Sequence, residues 1–264
     1  MRLYLSLIFA GPCLACAQFF TSFDDYPQFR AHSGMPGCGY GVDSNGKLGP
    51  KGAWAIATPI AYSPDRWQVS LGMGSVSRNL RPQFLDTAGA SQSTSNGTMV
   101  ATVGLPIGRL GRASFSYMAL SSRFDNATNL TWTPPNQRGP VTLGVGVQAL
   151  GGRDGTPFVG AVERYPRSAR SWFAVATWEG PSGTYASLGK GTRRFQDWFG
   201  NVSTNLGKNA KLIAEYDGFN INCGIGYDFG DMDRSPIKGN KAGVSMFLGL
   251  VRGNHLNWNL AVRF

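Results

Sequence analysis

The sequence has few histidines, few cysteines and few charged residues, and it lacks a long apolar run. Its two histidines and four cysteines form no cluster with metal-ligand spacing, so we expect no metal and no other cofactor. No stretch after the N-terminus approaches the roughly 20 apolar residues that a transmembrane helix requires. Only 15% of the residues are charged, well below the usual share. These shortages argue against a metalloenzyme and against a helical membrane protein.

Glycine and alternating apolar residues are abundant instead. The chain has 36 glycines in 264 residues, about twice the usual share. The clearest alternation covers residues 219–229, where apolar residues alternate with Asn, Gly or Asp. Its length is close to the 9–11 residues of a tilted membrane strand. Alternation of this kind predicts strands with one apolar face and one polar face.

Thirteen segments have this character, and together they predict an all-β fold: a transmembrane antiparallel up-and-down β-barrel of about 12–14 strands. An even number is needed if both ends of the barrel lie on one side, so either residues 38–42 add a fourteenth strand or one candidate is false. Two long polar connections, 77–97 and 122–140, are expected on the side opposite the C-terminus. The candidate strands are 53–62, 67–74, 98–105, 113–121, 142–149, 157–165, 171–178, 184–190, 197–204, 210–217, 219–229, 243–251 and 256–264.

Charged and aromatic residues are placed as a membrane barrel requires. A Lys or Arg facing lipid near the midplane costs about 2–4 kcal/mol. In the best-patterned strands the charges fall on the polar face, and we take five of them as candidates for lining the lumen; the alternative is an ion-pair network that fills a closed barrel. Aromatic pairs at strand ends, Trp54 with Tyr62, Trp172 with Trp178 and Tyr227 with Phe229, are typical of interfacial girdles. The lumen candidates are Lys211, Glu215, Asp217, Asp228 and Arg263.

The last ten residues, HLNWNLAVRF, predict the strand that closes the barrel. Every backbone polar group must be paired in lipid, so the last strand has to pair with the first. A terminal strand with alternating aromatics and a C-terminal Phe is similar to the signal read by the barrel-assembly machinery. Its residues are expected to face lipid, opposite Arg263. The residues of this assembly signal are Trp258, Leu260, Val262 and Phe264.

The N-terminal residues predict export. Residues 1–17 have the basic start, apolar run and small-residue cleavage site of a signal peptide, with cleavage near Ala17; lipidation at Cys16 is the alternative. Residues 18–50 are then a periplasmic lead-in, with or without a first strand, and 51–264 form the barrel in the bacterial outer membrane. Cys38 and Cys223 remain after cleavage, and whether they pair is left open.

The stretch 171–229 carries the runs SWFAVATWEG, ASLGKGTRRF and LIAEYDGFNINCGIGYDF. It resembles the YjbH-like outer-membrane proteins and related small bacterial barrels. The resemblance implies a role in the production or export of extracellular polysaccharide, and it supplies no catalytic residues.

The function expected from these observations is a porin-like channel or an accessory barrel in envelope or exopolysaccharide export, and not an enzyme. One alternative is a structural or surface-binding barrel with a closed lumen. Another is an outer-membrane acyl hydrolase that uses Ser245 and His255. The net charge of +10 is scattered and forms no run, so nucleic acid is not an expected partner. The expected partners are outer-membrane lipid and lipopolysaccharide, the barrel-assembly machinery, and anionic polysaccharide or small solutes.

Overall fold

Twelve antiparallel strands form a closed barrel in the computed structural model. The structure describes residues 32–77, 95–119, 126–151, 170–195, 197–218, 220–232, 241–251 and 255–264. Each strand pairs with its sequence neighbours, and β12 pairs with β1, so the predicted closing seam is confirmed. In chain order the strands are β1 (Val69–Ser77), β2 (Ser95–Leu105), β3 (Arg112–Ala119), β4 (Asn126–Thr133), β5 (Val141–Gln148), β6 (Ser171–Glu179), β7 (Tyr185–Gly191), β8 (Asp197–Asn205), β9 (Ala210–Tyr216), β10 (Ile221–Met232), β11 (Ala242–Val251) and β12 (His255–Arg263).

Both ends of the barrel sequence lie at one rim, where the backbones of Val69 and Phe264 exchange two hydrogen bonds. We call this the terminal rim, and the opposite end the far rim. Helical structure in the described residues is limited to three short 3-10 turns. None of those residues belongs to a helix with the length and hydrophobicity needed to cross a membrane.

The outer face of the barrel is apolar. Large side chains such as Leu71, Leu143 and Leu188 are exposed there. The exposed charged residues of the described strands are Lys190, Asp197 and Asp231, and each lies within two residues of a strand end. Aromatic side chains mark both rims, as expected for a barrel surrounded by lipid. They are Trp67, Trp132, Trp178, Tyr227 and Phe229 toward the terminal rim, and Tyr117, Trp172, Trp198 and Tyr216 toward the far rim.

The barrel interior is filled by the chain segment that precedes β1. Residues 32–42 and 52–64 are buried throughout, and only the bend between them reaches solvent. Within this segment, Val42 and Ala53 exchange backbone hydrogen bonds of 3.1 and 2.8 Å. We call residues 32–64 the plug. Part of the predicted periplasmic lead-in therefore lies inside the barrel, and the first strand begins at Val69, later than expected.

Three strand predictions need comment. The strand expected over 53–62 is wrong, because this segment crosses the interior and forms only isolated bridges; the fourteenth strand considered at 38–42 is interior for the same reason. The candidate 157–165 lies outside the described residues. Strand β4 was missed, since its residues were assigned to a polar loop, although Leu130 and Trp132 face outward on it.

Candidate functional site

Glu215 on β9 holds the plug inside the barrel. Its carboxylate accepts backbone N–H groups from three consecutive residues: Ile56 at 3.0 Å, Ala57 at 3.0 Å and Thr58 at 3.2 Å. The Thr58 hydroxyl donates to it at 2.9 Å, and the Asn222 side-chain amide at 3.0 Å. All of these groups donate to the Glu215 oxygens, as an ionised carboxylate requires, and hydrogen bonds to an ionised group are stronger than neutral ones. Glu215 is therefore the centre of the contact between plug and barrel.

Neighbouring strands extend this contact. Asn201 on β8 donates to the hydroxyl of Thr58 at 2.9 Å. The backbone N–H of Trp54 donates to the Ser203 hydroxyl at 3.1 Å, and the backbone N–H of Ala61 donates to the Thr177 hydroxyl at 2.8 Å. Short polar side chains on the inner face thus satisfy backbone groups of the plug that would otherwise be buried without partners.

The Thr133 hydroxyl on β4 serves two plug residues. It accepts the Ser63 N–H at 2.8 Å and donates to the Ala61 carbonyl at 2.6 Å. Together with Glu215, Asn201, Ser203 and Thr177, it defines the anchor wall, which is the inner face of β4 to β9.

Aromatic packing reinforces the anchor wall. Phe173, Phe195 and Phe199 form a buried cluster with ring-centroid distances of 4.8 to 6.4 Å. Tyr185 meets Tyr62 of the plug edge-on at 6.0 Å. These residues share one core with Met35, Tyr40, Ile60 and other plug residues.

Glycines let the plug approach the barrel backbone. A methyl group at Gly144 on β5 would lie 2.8 Å from the Ala61 Cα and carbonyl oxygen, too close to be tolerated without movement. At Gly226 on β10 it would overlap the indole ring of Trp54. The high glycine content of the chain therefore serves, at these positions, to make room for an internal segment.

The five residues predicted to line the lumen are all buried on the inner side of the barrel. Within the described part of the chain, Asp228 and Arg263 form an ion pair, with a 3.0 Å contact from Arg263 Nη2, and Arg263 also reaches Asp231 at 3.1 Å. Lys211 donates to the Gly183 carbonyl at 2.9 Å and lies 4.6 Å from the centre of the Tyr185 ring.

Asp217 has a local role. Its carboxylate accepts the backbone N–H of Asn220 at 2.9 Å and the side-chain amide of Asn222 at 3.2 Å. Within the described residues, the network that the sequence suggested thus consists of an ion pair near the terminal rim and a plug anchor at Glu215, which the Asn222 amide links to the turn-stabilising carboxylate of Asp217.

Strand β12 alternates as expected. Asn257, Asn259, Ala261 and Arg263 face inward and are almost fully buried. The residues between them, which include the predicted assembly signal Trp258, Leu260, Val262 and Phe264, are partly exposed on the outer side. Their recognition by the assembly machinery stays a prediction.

The two cysteines of the described residues are free. Cys38 is buried in the plug, whereas Cys223 lies partly exposed on β10. The Cys38 thiol donates to the Thr58 carbonyl, with 3.8 Å between sulfur and oxygen, which joins the two halves of the plug.

The structure places the two residues of the hydrolase alternative far apart. Ser245 pairs with Ala261, while His255 pairs with Val251 at the other end of the same two strands. Six residues of strand, roughly 20 Å, separate the two positions, too far for a nucleophile and its base. No potential metal-binding group of His, Cys, Asp and Glu occurs within the described ranges.

The wall opposite the anchor wall is lined mostly by small and polar residues. We call the inner face of β11, β12, β1 and β2 the polar wall. The plug residue His32 lies against it, since a methyl group at Gly72 would lie 2.6 Å from His32 Nε2. The Gly34 N–H donates to His32 Nδ1 at 3.2 Å, so Nε2 carries the proton. Burial lowers the pKa of His32 to about 4, which keeps the ring neutral at neutral pH.

Glu215 was predicted from the sequence to face inward, but the plug segment that it bonds was not predicted. The segment 53–62 alternates like a strand, yet its second face carries Ala and Pro instead of the Gly, Ser, Asn and Asp of the true barrel strands. Two apolar or small faces are typical of a segment buried on both sides. That signal distinguishes a plug from a wall strand.

No family model and no curated protein matches this chain. Similar solved structures include outer membrane phospholipase A from Escherichia coli, at TM-score 0.40 and 11% identity over 77% of this chain and 93% of that one. The calcium-bound phospholipase dimer from Salmonella typhi has TM-score 0.40 and 10% identity over 77% and 91%. An outer membrane channel from Pseudomonas putida F1 has TM-score 0.34 and 9% identity over 76% and 96%. Likeness at this level assigns no activity and no residue roles.

Proposed function

We propose that this protein is an outer-membrane channel that its own plug holds closed. The apolar outer face, the two aromatic rims and the restriction of exposed strand charges to strand ends support placement in a bilayer. Transport across the envelope is then the role of the lumen. Export of a polysaccharide stays a prediction from the sequence resemblance.

One observation carries the closed-channel proposal: the bonding of three consecutive plug N–H groups by Glu215. A barrel of twelve strands is wide enough to hold an internal chain segment, whereas about eight strands are filled by side chains alone. Here the filling is a separate segment attached by a compact set of polar bonds. Weakening that set releases the plug without cutting the barrel hydrogen bonds.

A second candidate function is a permanently closed structural barrel. It is favoured by the apolar core that plug residues share with Phe173, Phe195 and Phe199. The two candidates differ in whether the plug ever leaves its place under conditions where the barrel remains folded.

Planar-bilayer recording with Glu215→Gln distinguishes them. The amide keeps the shape of the side chain but replaces one acceptor oxygen with a donor group that faces backbone N–H groups. A hydrogen bond to a charged group contributes about 1.5–3 kcal/mol. We therefore expect the wild-type protein to be silent for most of the record, and the variant to be open at least about tenfold more often.

Lys211→Met is the matched control, because Lys211 faces inward on the same strand and bonds Gly183, outside the plug. It should leave the open probability near the wild-type value. Heat-modifiable gel mobility reports that each variant is folded. Steady conductance of the wild-type protein, or a folded Glu215→Gln variant as silent as wild type, contradicts the proposal.

A further inference from the structure

The hydrogen-bonding capacity of the polar wall is unmet. Within the described structure, side-chain polar atoms of at least five residues on or against this wall have no hydrogen-bond partner, and each of the five is at most 2% exposed. Buried polar groups are nearly always paired, so such a cluster calls for an explanation. The residues are His32 of the plug, Ser70 on β1, Thr98 on β2, Ser245 on β11 and Asn259 on β12.

These residues form a continuous ladder. Pairing between strands aligns Ser70 with Arg263, Gly72 with Ala261, and Gly74 with both Asn259 and Thr98. Ser245 stands beside Ala261 in the same layer as Gly72, over which His32 lies. Successive layers are two residues, roughly 7 Å, apart. The ladder thus climbs from the terminal rim into the middle of the barrel.

The tight contact between plug and polar wall leaves these atoms neither solvated nor paired. Separation of the two surfaces would hydrate them, whereas separation from the anchor wall would break the bonds of Glu215, Ser203 and Thr177. The hydrogen-bond cost of moving the plug is therefore lowest on the polar side. The plug also shares one apolar cluster with this wall, through Val76, Phe247 and Val251.

Resting on the proposed channel function, we propose that the open path lies between the plug and the polar wall and carries small hydrophilic solutes. His32, Ser70, Thr98, Ser245 and Asn259 line this path. They offer both hydrogen-bond donors and acceptors and carry no net charge, so they replace part of a solute's hydration shell without selecting its sign. Arg263, at the terminal end, is neutralised by Asp228 and Asp231.

Cysteine accessibility tests the location of the path. Ser245→Cys on the polar wall and Ser203→Cys on the anchor wall are introduced separately into the full chain with its native cysteines replaced by serine. Both positions face inward within about four residues of the terminal end of their strands. The folded proteins in vesicles are treated with a water-soluble methanethiosulfonate. We expect Ser245→Cys to react at least tenfold faster.

Equal reaction rates, or faster reaction at Ser203→Cys, overturn the inference. The relative reaction rates of the two cysteines show where the path lies, whether or not the protein conducts. In the wild-type background, where the bonds of the anchor wall are intact, modification of Ser245→Cys should also reduce the current of the rare openings by at least half and modification of Ser203→Cys should reduce it less. A silent Glu215→Gln variant overturns the channel proposal, while the labelling order still shows which surface the plug leaves.

Discussion

The two walls of the barrel contact the same plug in different ways. The anchor wall presents a carboxylate, hydroxyls and amides that bond the plug backbone, together with a cluster of aromatic rings. The polar wall presents Ser, Thr, Asn and Gly against His32, with polar atoms that have no partner in the described structure. Both walls alternate in the same way along their strands. Alternation therefore builds the barrel, while the identity of the inward residues decides where the plug is held.

The difference also separates stability from movement. A satisfied buried hydrogen bond contributes modestly, but leaving one of its partners unpaired costs about 1–3 kcal/mol. On the anchor wall, loss of the side-chain acceptor at Glu215, Ser203, Thr177 or Thr133 leaves a plug N–H unpaired. On the polar wall the same kind of substitution removes a group that was already unpaired. Matched substitutions on the two walls should therefore differ strongly in effect.

The largest difference is expected between Glu215→Leu and Asn259→Leu. Loss of the Glu215 carboxylate leaves three plug N–H groups without their acceptor, and we expect the free energy of unfolding to fall by about 3 kcal/mol or more. Asn259→Leu removes an unpaired amide of similar size and should change the free energy of unfolding by less than about 1 kcal/mol. Denaturant titration in lipid vesicles measures both. Similar losses for the two variants would mean that the walls are equivalent.

A smaller difference is expected between Thr177→Val and Thr98→Val, which have nearly the same shape before and after substitution. The Thr177 hydroxyl accepts the Ala61 N–H, so its removal should cost about 1–2 kcal/mol. The Thr98 hydroxyl has no partner in the described structure, and its removal should be neutral or slightly stabilising. The same titration applies. A loss at Thr98 as large as that at Thr177 would show that the Thr98 hydroxyl is bonded in the folded protein.

Much of the barrel was predictable because its physics is local. Strands such as β10 and β12 are recognisable by the alternation of apolar and polar residues, and the need to close the barrel pairs the last strand with the first. Strand β4 was missed because its polar inward residues, such as Asn129 and Thr131, are also typical of a loop. The alternation of these residues with Leu130 and Trp132 is the signal that indicates a strand.

The candidate site was predictable only in part. Strand alternation alone places Glu215 on the inner face, whereas its plug partners lie more than 150 residues away along the chain. Nothing local indicates that the N–H groups of Ile56, Ala57 and Thr58 converge on one carboxylate. The segment that supplies them resembled a wall strand, and only the smallness of its second face indicated burial on both sides.

Labelling of Cys38 tests the central claim most directly, because this thiol is buried in the plug. A variant with the other three cysteines replaced by serine leaves Cys38 as the single thiol. If the plug occupies the lumen, the folded wild-type barrel in vesicles should react with a water-soluble maleimide at least about 100-fold more slowly than the unfolded chain, and Glu215→Gln should speed the reaction about tenfold. Rapid labelling of Cys38 in a folded, heat-modifiable wild-type barrel would show that the plug lies outside and would contradict the account.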